Sequence, residues 1–142
     1  MAPRAAYVIA VLLAVSLAAA PPARTETRGP VVAVVLTPAP LPELARLFAT
    51  CTGRMSAELA DRWLMGGDAE GVERLRDTLA DLAEAATPPG HEVAARALRI
   101  EARAAHADLL MQARFGAHPR MRDRAAQTAA RLAAPCRALA VP

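Results

Sequence analysis

The sequence predicts an all-α protein: an up-down-up-down four-helix bundle with one disulfide, preceded by a signal peptide and an extended Pro-rich arm. Three observations predict it. Apolar residues recur at spacings of three and four in four successive stretches. Clusters of Pro and Gly separate those stretches. Two cysteines, Cys51 and Cys136, stand in the first and the last of them.

Composition supports the class. The chain has 142 residues, enough for one domain. Hydrophobic residues make up 54% but aromatics only 3%, so alanine dominates the apolar content. Small apolar residues at that density suit closely packed helices better than a sheet. All 17 basic residues are arginine. Ala and Pro are also abundant, and Ala, Arg, Pro and Gly are all encoded by GC-rich codons. The arginine bias therefore reads as codon usage, not as guanidinium chemistry.

The N-terminus sets the expected compartment. Residues 1–20 place one arginine, Arg4, before a continuous apolar run that ends in small residues. That is the order of a secretory signal. The run, residues 5–20, would reach about 24 Å as a helix, short of the roughly 30 Å of a bilayer core. A cleaved signal is expected, with cleavage near 18–20, against an uncleaved anchor as the alternative. No stable membrane span is expected after cleavage. Two cysteines in an exported chain allow one intramolecular pairing, Cys51 to Cys136. Residues 21–40 hold five prolines and read as an extended arm. Its β-branched run at 31–36 has no second strand to pair with.

The helical domain, residues 41–142, then follows. The first helix starts near Pro42 and stops at Gly66-Gly67. Its seam is Leu44, Phe48, Cys51, Met55 and Leu59, and the next seam position is Arg62. Gly53 in its middle costs about 1 kcal/mol against alanine; the bare patch invites a neighbouring helix. The second helix has Asp68 as a candidate cap and the seam Val72, Leu75, Leu79, Leu82 and Ala86. The third runs from about His91 to Phe115 with two apolar stripes. The longer is Val93, Ala97, Ile100, Ala104, Ala107, Met111 and Phe115, and it is taken as the core seam. The shorter is Leu98, Ala105 and Leu109, with Glu101, Asp108 and Gln112 between the two. The fourth starts at Pro119, with the seam Met121, Ala125, Thr128 and Leu132. Pro135 is expected to end or kink it near Ala134.

Charge excludes one partner class. The formal charge is +3, and +2 without Arg4, too little to argue for nucleic acid. It is unevenly spread: residues 41–87 carry five arginines against nine carboxylates, and residues 115–142 five arginines against Asp123 alone. Opposite charges facing each other within the fold account for this most simply. A docking patch for anions at Arg120, Arg122 and Arg124 is the alternative.

Candidate chemistry is sparse. There is no Cys-x-x-Cys-His for haem, no Glu-x-x-His for a di-metal bundle and no Gly-x-Ser-x-Gly. No cofactor and no enzymatic activity are expected. Met65, Met111, His118 and Met121 gather at one end of the expected bundle, where a soft copper-like site is conceivable, although seam methionines usually fill cores. Arg62 in the first seam needs a carboxylate if buried. Helix register offers Asp108 as its structural ion-pair partner, with Glu58 one turn earlier as the competitor. The expected function is a non-enzymatic binding or structural module with an unidentified protein partner in the exported compartment, periplasmic or secreted. The alternative is a carrier of a metal ion or small ligand through the Met/His group or the Glu101/Asp108 band.

Overall fold

The computed structural model describes residues 40–139. The expected leader, its cleavage site and the 31–36 run lie outside the described residues. Within them the chain is all-helical, with no strand. The helices are α1 (Glu43–Leu64), α2 (Glu70–Ala86), α3 (Glu92–Phe115) and α4 (Pro119–Ala138).

The helix ends follow local chemistry. Pro42 immediately precedes α1, and its carbonyl accepts from the Arg46 N–H at 2.9 Å. Gly66 ends α1 with φ of 68°, a left-handed value that glycine adopts without a Cβ clash. Asp68 acts one position outside the expected cap: its Oδ1 accepts from the Glu70 N–H at 3.0 Å, while Ala69 occupies the cap.

α1 is the hub. It packs most extensively on α3, then on α2, and least on α4; α3 also packs on α4, whereas α2 barely touches either of the last two helices. The burial of α1 reflects this. Cys51, Thr52, Gly53, Met55, Ala57, Glu58 and Leu59 are all buried, which covers almost the whole circumference and not one stripe. Leu44, the first expected seam position, is exposed, whereas the adjacent Ala45 is fully buried: at this end of α1 the covered side lies one residue off the expected seam.

Gly53 lets α3 approach. A Cβ at that position would lie 2.3 Å from the Arg99 carbonyl oxygen and 3.0 Å from the Ala102 Cβ. The helix-propensity cost of this glycine is thus offset by a contact no other residue permits. Gly53 meets Arg99 to Arg103, Glu58 meets His106, and Asp61 meets Arg114. The two helices therefore run in the same direction. α4 runs the opposite way along α1, since Cys51 bonds Cys136 while Arg54 reaches back to Leu132.

The disulfide joins Cys51 and Cys136 as expected, with Cα atoms 5.3 Å apart, inside the range such bonds require. Both cysteines are fully buried, and with Met55, Leu79 and Ala133 they form the centre of the core, flanked by Phe48 and Leu75. Of the two outcomes expected at Pro135, an end or a kink near Ala134, the end does not occur: the helix continues through Pro135 to Ala138. Pro135 lies on the exposed side, where its ring meets solvent. The disulfide ties the following turn to α1, and Arg54 Nη1 donates to the Leu132 carbonyl at 3.0 Å within the same segment.

Candidate interaction surface on the third helix

The largest departure from the sequence reading concerns α3. The side of this helix turned toward α1 and α4 carries Leu98, Ala102, His106, Leu109 and Ala113, all buried or half-buried. At about 100° per residue these fall within one sector. The longer stripe lies on the opposite side. Val93 is 82% exposed, Ile100 60%, Met111 49% and Phe115 64%. Ala97 and Ala104 between them are also exposed, and Ala107 is half-buried. The expectation that this stripe is the core seam is corrected. The inward sector takes Leu98 and Leu109 from the shorter stripe but not Ala105, which is exposed; Ala102, which belongs to neither stripe, is the small residue that lies against Gly53.

The outward stripe has ordered edges. Arg96 and Arg103 flank it on one side, Glu101 and Asp108 on the other, and all four are exposed. None of the four takes part in an ion pair among the described residues. Arg96 also stands on the rim of an open cleft of about 540 Å³ between α2 and α3, over Ala49 of α1. That cleft exists because α2 and α3 hardly pack on each other. A second exposed apolar group, Trp63, Leu64 and Met65, ends α1 at the end of the molecule where α3 also finishes.

Behind this surface lies a buried polar cluster that sequence reasoning missed. Glu58 is nearly inaccessible; Arg137 Nη2 donates to both its carboxylate oxygens at 2.7 Å. His106 is fully buried, with Nε2 3.4 Å from Glu58 Oε1, yet neither ring nitrogen completes a hydrogen bond. Burial pushes the Glu58 carboxyl up, but the contacts with His106 and with Arg137 outweigh it and hold the group below its ordinary value. The cluster ties α1 to α3 and α4. It lies beside a cleft of about 300 Å³ whose walls include Asp61, Arg62 and Arg114. Glu58 and His106 occupy the hub and the inward side of α3; that α1 is apolar on more than one side was the available signal.

The remaining expected site residues are dispersed or reassigned. The Arg62–Asp108 pair does not form. Arg62 is half-buried near the end of α1 and its Nη1 donates to the Asp68 carbonyl at 2.9 Å, closing the α1–α2 turn; Asp108 is exposed. The pair that does join these helices is one residue earlier on α1: Arg114 grips Asp61 with two hydrogen bonds, from Nε at 2.6 Å and from Nη2, which hold the guanidinium pKa above its ordinary value. Glu58, the competitor for Arg62, is taken by Arg137. Met65, Met111, His118 and Met121 are all exposed. No group of three or more His, Cys, Asp or Glu side chains suited to a metal ion occurs among the described residues. Of the three arginines at the start of α4, Arg120 and Arg124 are exposed, whereas Arg122 is half-buried and reaches the Gly116 carbonyl at 3.4 Å.

The chain matches no family model, no curated protein and no solved structure. No helix among the described residues is long and apolar enough to cross a membrane.

Proposed function

We propose that this protein is an exported, non-enzymatic binding module whose working surface is the outer side of α3. One observation carries the reading. The large apolar residues of α3 point outward while alanine, histidine and leucine face the core. An apolar surface that runs the length of a helix and is edged by unpaired charges is the ordinary form of a helix-docking site. Export is supported by the leader pattern of residues 1–20 and by a disulfide, a bond that persists in oxidising compartments.

Photo-crosslinking in the producing cell tests this. A crosslinking amino acid at Ile100 or Met111 should give an adduct with a polypeptide, its own or another. The same group at Asp81 or Ala134, also exposed but off the strip, should not. Equal labelling at all four positions, or none at Ile100 and Met111, would sink the reading.

A further inference from the structure

We infer that the occupant of the α3 strip is a second copy of this chain, with the two α3 helices side by side and pointing the same way. This rests on the reading that the strip is a docking surface, and it adds the partner and its orientation.

The spacing of the strip comes first. Val93, Ala97, Ile100, Ala104, Ala107 and Met111 follow one another at intervals of four, three, four, three and four. That is the seven-residue repeat of a two-helix seam, not merely an apolar side. In this repeat Ala97, Ala104 and Met111 occupy one seam position, and Val93, Ile100 and Ala107 the other. Most large residues thus have a small one at the next seam position, so two copies can interdigitate with their axes close. The seam extends about 27 Å along the helix from Val93 to Met111; Phe115 continues the apolar side one position off the repeat.

The charges then decide the orientation. Arg96 and Arg103 are seven apart on one edge; Glu101 and Asp108 are seven apart on the other. Each arginine stands five residues before a carboxylate: Arg96 before Glu101, and Arg103 before Asp108. In a parallel pair related by a two-fold axis along the seam, the first edge of one helix faces the second edge of its partner, offset by five residues. That offset is about 7.5 Å, within reach of these side chains. Four complementary pairs form, two on each side of the seam. In an antiparallel pair arginine would face arginine and carboxylate would face carboxylate. A foreign helix has no reason to find its own complement in this exact order; a copy of α3 carries it by construction. Arg96, Glu101, Arg103 and Asp108 are exposed, and none of them forms an ion pair among the described residues. The strip is one helix wide, so the interface is at the small end of specific ones and assembles over a measurable concentration range.

Sedimentation of the oxidised protein, over a concentration series and at two salt levels, tests the pairing. The expected result is a monomer–dimer equilibrium. Ile100→Asp should shift it to monomer with helix content and melting temperature unchanged. The double variant Glu101→Arg/Asp108→Arg, and separately Arg96→Glu/Arg103→Glu, should each weaken self-association at least tenfold. Mixing the two should restore a dimer containing one copy of each. A wild-type protein that stays monomeric throughout overturns the inference. So does a dimer indifferent to Ile100→Asp or to the charge exchanges. Crosslinking separates this from failure of the docking reading. A monomer whose Ile100 position still captures a different polypeptide removes self-pairing and leaves the docking surface standing. A monomer whose strip captures nothing removes both.

Discussion

The inner and outer sides of α3 are built by opposite rules. Inside, Ala102 lies against Gly53 and the one strongly polar side chain, His106, is fully buried. Outside, Val93, Ile100, Met111 and Phe115 meet solvent. The usual sorting puts large apolar residues in the core, because each stabilises the fold by about 1.5–3 kcal/mol when buried. Here the inner side gives up that gain for proximity of two backbones, and the outer side keeps large residues exposed, with no cover among the described residues. Such a molecule draws little stability per residue from its interior, so covalent and polar links carry more.

That contrast can be broken in several places. The largest effect is expected at the disulfide, because a lightly packed interior has little to replace it. Cys136→Ser should lower stability by about 4–5 kcal/mol, from the entropy of an 85-residue separation. Denaturant unfolding of the oxidised wild type beside the variant measures it; a loss under 1 kcal/mol would mean the inner side packs better than its composition implies. Next is Gly53→Ala. Helix propensity alone predicts a gain of about 1 kcal/mol. The Arg99 carbonyl 2.3 Å from the new methyl predicts a net loss of about 1–3 kcal/mol, since the obstacle is backbone and cannot rotate away. A stabilised Gly53→Ala would show that α1 and α3 are not held this close.

Acid should expose the polar part of the inner side. The folded-state carboxyl of Glu58 titrates below its ordinary value. Its contribution is therefore complete above the unfolded carboxylate range near pH 4.3, and is lost as pH falls through the lower folded value. Melting temperature should drop below about pH 4, and more steeply in the wild type than in Glu58→Gln. Parallel curves would assign the acid sensitivity to other carboxylates. The smallest effect is expected outside. Ile100→Ala should change monomer stability by no more than about 0.5 kcal/mol, as at other exposed positions. A loss of 2 kcal/mol would mean the outer side is covered by something in the same molecule.

Much of this architecture is legible in the residues. Pro42, Gly66, Gly116 and Pro119 punctuate the chain within a residue or two of the observed helix ends. The cysteines have one possible pairing, and a bare Gly53 in a long helix announces a close neighbour. The orientation of α3 was not legible, because periodicity locates a stripe without saying which of two stripes meets the rest of the chain. The choice depends on a contact with a helix some fifty residues away, and that contact selects for smallness, the reverse of what a hydrophobicity pattern weighs. The ion pairs failed for a related reason. Arg62 continues the α1 seam arithmetically, but the packed part of α1 ends at Leu59, so Arg62 turns to the Asp68 carbonyl and its neighbour Asp61 meets Arg114. Glu58 was hidden because it lies off the seam on a helix buried nearly all round.

The Cys51–Cys136 bond makes everything from the middle of α1 to the last turn of α4 a closed covalent circle. The exposed Pro89–Gly90 link between α2 and α3 lies on that circle. A protease that cuts there opens the circle but releases no fragment: the two arms remain joined through sulfur, and α1 still holds both. A nick at this exposed turn would leave one covalent molecule. It would be invisible on a non-reducing gel and would appear as two pieces only after reduction.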